Sequence, residues 1–354
     1  MRLKKRKNNL IAFCRFNMAE CRVKKSHNLW LSAWYGKSSW VYALLPLSWW
    51  FAIISAVRKL LLVRFLQKKL SVPVVIVGNI SVGGTGKTPL IVELVKYLQQ
   101  RGYKPGVVSR GYGGSAPHYP YLLTAQSQAL EAGDEPLLIY RTTQCSVCVA
   151  PDRVAAAQRL VNEGCTIILS DDGLQHYRLG RALEIAVVDG HRLFGNQQRL
   201  PVGPLRESIT RLKSVDFIVI NNPLTKEPLS GFHHLHCMKI QPLAWRNVLS
   251  WQQLPIGDVD FKAPIHAVAG IGNPERFFKT LDDLSLNYYA HPFPDHHKFC
   301  SEDFSPYRDD TILMTEKDAV KCQNFAKPEW YSLIIGAQLN EHFWQAFQHK
   351  LDSL

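Results

Sequence analysis

The sequence predicts an α/β fold, a parallel sheet with helices on both faces. Three observations carry this. Short apolar runs ending in glycines or carboxylates alternate with helical patterns through the middle of the chain, as strand–helix–strand units do. One run, Val74 to Val77, passes through a glycine-rich turn into a helical pattern. A second, Cys165 to Ser170, ends in the pair Asp171-Asp172. The 354 residues suffice for two domains with cores of their own.

The first element is a basic tail. Residues 1–28 hold nine Lys/Arg against Glu20, so most of the net charge of +13 sits there. Such a tail suits nucleic acid, anionic lipid or plain solvent. Met18 is an alternative start. From Ser38 to Val57 no residue is charged. As a helix that stretch is about 30 Å long, one bilayer core. Pro46 and Ser48 interrupt it, and Trp30, Trp34, Trp40, Trp49 and Trp50 cluster around it, which favours lying in the interface over spanning. A single span would also put the basic tail outside, against the positive-inside rule. Arg58 to Lys69 continue as a basic amphipathic stretch. The bland alternative is a core helix of a soluble protein.

The turn after Val74–Val77 reads Ser81-Val82-Gly83-Gly84-Thr85-Gly86-Lys87-Thr88. Glycines let backbone N–H groups approach phosphate oxygens, and the helix N-terminus adds positive potential. Lys87 reaches the β- and γ-phosphates of a nucleotide, and the Thr88 hydroxyl holds Mg²⁺. Ser81 stands where the general pattern has glycine. The fold class is therefore a P-loop NTPase-type parallel sheet, with a smaller C-terminal α/β lobe and an N-terminal membrane-associated helix. The expected division is 1–28, 29–70, 71–225 and 226–354.

Next, Pro105 to Ser109 is a strand ending in Arg110-Gly111-Tyr112-Gly113-Gly114, a loop suited to phosphate or sugar. Gly133-Asp134-Glu135-Pro136 opens an apolar helix, where the carboxylates also suit plain capping. A strand over Cys145–Ala150 leads to Asp152-Arg153 and an Ala-rich helix. The strand ending in Asp171-Asp172 has the form of a Walker-B element, which orders Mg²⁺. Glu184 to Asp189 is a further strand, followed by Arg192, Phe194-Gly195-Asn196 and Leu200 to Glu207. Phe217 to Ile220 is another, and residues 221–231 form a hinge. The lobe beyond holds a second strand–glycine–helix unit over Ile265–Glu275, read as a packing turn because it lacks Lys-Thr.

The eight cysteines are scattered, and Cys145-x-x-Cys148 has no second pair to complete a zinc ribbon. They read as reduced structural thiols. His233, His234, His236 and Cys237 form a minor metal candidate.

Together, SVGGTGKTP (Ser81–Pro89), SRGYGG (Ser109–Gly114), GDEPL (Gly133–Leu137), DDGLQH (Asp171–His176), PVGPLRE (Pro201–Glu207), Asp295-His296 and TEKD (Thr315–Asp318) resemble the tetraacyldisaccharide 4′-kinases of Gram-negative bacteria. The resemblance runs from about Trp30 to the C-terminus, with 1–28 as an extension. In that family Ser or Thr is common at the position of Ser81. The resemblance implies transfer of the ATP γ-phosphoryl group to the 4′-hydroxyl of a tetraacyldisaccharide 1-phosphate, giving lipid IVA. It implies Asp134 as general base supported by His296, with neighbouring His297 as the alternative, and Lys87 as the third catalytic group. Nucleotide falls to Ser81–Thr88, and Mg²⁺ to Thr88, Asp171 and Asp172. Substrate contacts fall to Arg110, Tyr112, Glu135, His176, Arg206 and Glu207. The implied partners are the lipid disaccharide and the inner-membrane surface, without nucleic acid, for a monomer whose monotopic anchor leaves the site facing the cytoplasm. The rival is a membrane-associated P-loop ATPase switch of the partitioning or targeting type. Those carry Lys before the paired glycines, where this chain has Val82.

Overall fold

The computed structural model describes residues 29–36, 38–223 and 231–354. The basic tail, with Cys14 and Cys21, and most of the expected hinge lie outside the described residues. The chain divides into two compact units. One holds the described residues up to Ala56 with Phe194–Ile209, and the other holds Val57–Leu193 with Thr210–Leu354.

In the smaller unit, helix α1 spans residues 29–35 and a 3₁₀ turn, Trp40–Leu44, leads into α2, Leu45–Leu61. Ala33, Val41 and Val202 form a small core. Trp34 Nε1 donates to the Pro201 carbonyl at 3.0 Å, and Ser48 Oγ to the Arg199 carbonyl at 3.0 Å. Ser48, which interrupts the apolar run, thus ties α2 to Arg199. The helical stretch Trp40–Leu66 is apolar enough and long enough to cross a membrane, yet little of it is buried. Trp49 and Trp50 are each 65% exposed, and Ile53, Ile54 and Leu47 are open as well. A core helix buries such side chains, so the soluble-core alternative does not describe α2.

The larger unit is organised on one sheet. Its strands are β1 (Val74–Gly78), β2 (Pro105–Ser109), β3 (Tyr121–Leu122), β4 (Ser146–Val149), β5 (Ile167–Asp171), β6 (Leu183–Asp189), β7 (Phe217–Asn221), β8 (Leu235–Asn247), β9 (Gln253–Pro255), β10 (Ile265–Ala269), β11 (Tyr289–Pro292), β12 (Thr311–Thr315) and β13 (Trp330–Leu339). Their order is β11-β10-β12-β13-β8-β7-β6-β1-β5-β2-β4-β3, with β9 beside β8. The run from β7 to β4 is parallel, and so is β13-β12-β10-β11. The antiparallel β8–β13 pair joins the two. The C-terminal lobe is therefore an extension of the same sheet rather than a second sheet.

The helices are α3 (Lys87–Gln100), α4 (Ala129–Ala132), α5 (Asp134–Thr143), α6 (Arg153–Asn162), α7 (Pro274–Asp283), α8 (Glu316–Cys322) and α9 (Glu341–Asp352). Helix α3 begins two residues before the expected Pro89. It buries Leu90, Ile91, Leu94, Val95 and Leu98 completely, one helical face, in a core that also takes Phe343 and Phe347 of α9. Parallel strands covered on both faces read as continuous apolar runs, which is why β1 and β5–β7 were legible. Cys145, Cys148, Cys165 and Cys322 are buried, and burial pushes the Cys148 thiol up to about 12. His236 packs on Phe217 and stacks on His342.

Candidate active site

β1, β2 and β5 lie side by side and parallel, so the loops leaving their C-terminal ends gather at one sheet edge. This is the position in which open α/β sheets bind ligands. The loop Ser81–Gly86 leaves β1 there. Ser81, Thr85 and Thr88 are buried while Val82, Gly83 and Gly84 face outward. Asn79 Nδ2 donates to the Gly83 carbonyl at 3.3 Å, and Asn221 Nδ2 at the end of β7 donates to the Thr85 carbonyl at 3.0 Å. Both occupy loop carbonyls, which suits a loop whose N–H groups are kept for an anion.

Lys87 Nζ lies 3.5 Å from Asp172 Oδ1, with both side chains largely covered. Asp171 is buried; its Oδ2 accepts from Ser109 Oγ at 3.2 Å, and its Oδ1 has no hydrogen-bond partner among the described residues. Burial pushes the Asp171 carboxyl up to about 7, Glu135 and Asp172 adding to it against Lys87 and Arg153. A buried carboxylate oxygen with no partner among the described residues fits a hard divalent cation.

Asp134 opens α5 and is buried. Its Oδ1 accepts from the Glu135 N–H at 2.9 Å, and its Oδ2 lies 3.0 Å from His296 Nδ1. Gly133 makes this placement possible. It has φ +87, and a Cβ there would stand 2.7 Å from the Tyr112 carbonyl. The 111–114 loop and the start of α5 therefore touch backbone to backbone, and the Tyr112 ring sits 4.9 Å from the His296 ring. His297 turns away to Asp303, at 3.0 Å. Of the two histidines, His296 is the one beside Asp134.

The TEKD segment explains how His296 is held. Thr315 caps α8, Glu316 pairs with buried Arg246 at 2.8 Å, and Lys317 pairs with Glu135. Asp318, fully buried, accepts the Gly270 N–H at 2.9 Å through Oδ2, while the Gly270 carbonyl accepts the His296 N–H at 3.2 Å. Sequence reading gave Lys317 no role at the site. Its charge lies close to Asp134 and Glu135.

Burial alone would raise Asp134, but the His296 hydrogen bond and the Lys317 charge outweigh it and hold the carboxyl below its usual value. His296 is raised, chiefly by its hydrogen bond to Asp134, against burial. The Asp134 contribution to stability is present above its unfolded value and is lost as pH falls through the depressed folded value. The His296 contribution is present below its unfolded value and is lost as pH rises through the raised one. Both are complete between about pH 4 and 6.5. We expect His296→Ala to cost about 1.5–3 kcal/mol at pH 5.5 and clearly less at pH 9, measured by urea unfolding. An equal cost at both pH values would remove the ion pair from this account.

His176 is half-buried, and burial with Arg153 and Arg58 nearby pushes it down to about 4, so it is neutral at pH 7. Gln175 Nε2 donates to the Asn79 carbonyl at 3.2 Å, tying the Asp171–His176 loop to the phosphate loop. Arg110 and Tyr112 are exposed at the same edge. Arg206 and Glu207 belong to the smaller unit. Arg153, which sequence reading placed only as a helix start, is buried, and its Nε and Nη1 have no hydrogen-bond partner among the described residues. Burial lowers its guanidinium to about 10 against the pull of Asp171 and Asp172, with Arg110 also close by. A buried cation with open donors invites an anion.

A family model described as tetraacyldisaccharide-1-P 4′-kinase matches residues 40–352. A tetraacyldisaccharide 4′-kinase of Methylobacillus flagellatus is 46% identical over 321 residues, 89% of this chain and 94% of the relative. One from Legionella pneumophila is 43% identical over 317 residues, covering 89% and 94%. The crystal structure of LpxK from Aquifex aeolicus, in complex with ATP, is similar with a TM-score of 0.73 and 27% identity, covering 88% of this chain and 99% of that one.

Proposed function

The chain belongs to the tetraacyldisaccharide 4′-kinase family, and on that premise we propose how its residues carry the transfer. It is a kinase of lipid A biosynthesis: it phosphorylates the 4′-hydroxyl of a tetraacyldisaccharide 1-phosphate at the expense of ATP, giving lipid IVA. Family membership disfavours the ATPase-switch reading.

We assign the general base to Asp134. The observation that carries this is the 3.0 Å contact between its buried carboxylate and His296 Nδ1. An ionised carboxylate oriented by a histidine is suited to take the proton of the acceptor hydroxyl as its oxygen attacks phosphorus. His296 positions the carboxylate, and Lys317 holds Glu135 beside it. Ser81–Thr88 bind the ATP phosphates through loop N–H groups, with Lys87 released from Asp172 toward the β- and γ-phosphates. Thr88, Asp171 and Asp172 are the residues that would hold Mg²⁺, which when bound neutralises phosphate charge. Arg110 and Arg153 are the cations that the larger unit offers to the substrate phosphates, with Tyr112, Glu135 and His176 toward the sugar, and Arg206 and Glu207 are kept as substrate contacts on the family resemblance alone.

The apolar helix Trp40–Leu66 lies in the inner-membrane surface on this reading, with the catalytic edge on the cytoplasmic side and no nucleic acid involved. Its exposed Trp49 and Trp50 suit the headgroup level. The protein works as a monomer, with residues 71–225 supplying the phosphate loop and Asp134 and residues 226–354 supplying His296.

The test is a radiolabelled-ATP assay with the purified tetraacyldisaccharide 1-phosphate in vesicles. Label is expected in the lipid, with ATP turnover dependent on the acceptor. Acceptor-free hydrolysis at the same rate would favour the switch.

A further inference from the structure

β6 runs parallel to β1, with Ala186 opposite Gly78. Both strands end at the same edge, so the loop after β6 neighbours the phosphate loop. Asp189, buried at the end of β6, organises that loop. Its Oδ1 accepts the N–H groups of His191 at 2.9 Å and Arg192 at 3.1 Å, and its carbonyl accepts the Leu193 N–H at 2.8 Å. This tight turn brings the Arg192 guanidinium over the crest of the phosphate loop. Its Nη1 stands 3.8 Å from where a Cβ on Gly83 would lie. Gly83 has φ +109, a conformation that leaves this face of the loop free of side chain. The other Asp189 oxygen is 3.4 Å from Arg276 Nη2.

We propose that Arg192 is a catalytic residue that binds the γ-phosphoryl group of ATP as it is transferred. The inference rests on the kinase reading above and adds a group to it. In the transfer, the bond from the acceptor oxygen to the γ-phosphorus forms. The bond from that phosphorus to the bridging oxygen breaks, and its electron pair stays with ADP. The hydroxyl proton passes to Asp134. Arg192 alters none of these bonds. Negative charge spreads over three equatorial oxygens during the transfer, and a planar guanidinium offers two of them donors at once. Lys87 is a single point charge that already faces Asp172.

The experiment uses the full chain with Arg192→Ala and Arg192→Lys. It measures kcat, KM for ATP, and binding of a fluorescent ADP with and without magnesium and aluminium fluoride in the presence of acceptor. Arg192→Ala is expected to lower kcat about 10²-fold with KM for ATP within threefold of wild type. ADP should bind as in wild type, while the tightening produced by aluminium fluoride is lost. Arg192→Lys should recover only part of kcat, because one ammonium cannot span two oxygens. A kcat within threefold of wild type overturns the proposal. So does an equal loss of ADP binding with and without aluminium fluoride, which would make Arg192 an ordinary nucleotide contact. In either case wild-type transfer to the acceptor stands, so failure here leaves the kinase reading intact.

Discussion

Asp134→Ala is expected to lower kcat by about 10²–10⁴-fold, the usual worth of a positioned general base, while ADP affinity stays within threefold of wild type. The asymmetry follows from position. Asp134 opens α5, apart from Ser81–Thr88, the loop proposed to bind the phosphates. Its carboxylate is hydrogen-bonded to His296 and to its own helix start. Asp134→Asn sharpens the test, because it keeps the shape and one acceptor oxygen but cannot take a proton. Rapid-mix transfer assays and ADP titration on the two variants check the expectation. Near-normal kcat in either would move the base elsewhere.

Asp318→Ala is expected to destabilise the protein by about 3–5 kcal/mol, the cost of breaking a buried ion pair on one side. The side chain is fully buried. It accepts from Thr315 Oγ1 at 2.7 Å and from the Gly270 N–H at 2.9 Å, and its other oxygen is 2.7 Å from Lys321 Nζ, itself almost covered. Removing it strands a lysine charge and a backbone donor together. Urea unfolding of the purified variant measures the loss. Because the Gly270 carbonyl holds the His296 backbone, the folded fraction should also show reduced kcat with unchanged ADP affinity. A loss under 1 kcal/mol would mean that water replaces these contacts.

These two carboxylates show what was legible in the chain. The phosphate loop and its strand were, because the signals are local: a buried parallel strand is an apolar run, and a tight anion-binding turn needs glycine. The middle of the sheet, where β8 lies between β13 and β7, was harder. β8 is thirteen residues long, yet its burial alternates irregularly and it contains Pro242, which cannot donate to a ladder. The register with β13 shifts just there, between Ile334 and Ile335 opposite Ala244 and Pro242. A bulge absorbs the proline, and no short window of sequence announces that. The Asp134–His296 contact joins residues 162 positions apart. It came from resemblance and not from any spacing, since nothing in the composition of either segment points to the other. Arg153 was missed for a related reason. It follows Asp152, whose side chain caps α6, so the pair reads as a helix start, and its burial beside Asp171 and Asp172 arises only when β4 and β5 flank β2.

On the proposal that the open row of Trp49, Trp50, Ile53 and Ile54 on α2 lies in a lipid surface, concentration takes a different meaning for this enzyme. With that face held in a lipid surface, the search for the acceptor runs in two dimensions. The rate then follows the mole fraction of acceptor in the surface rather than its amount per volume of solution. Inert lipid becomes a diluent, and water does not. ATP and ADP still arrive and leave through solution, so the two substrates of one reaction obey different concentration scales.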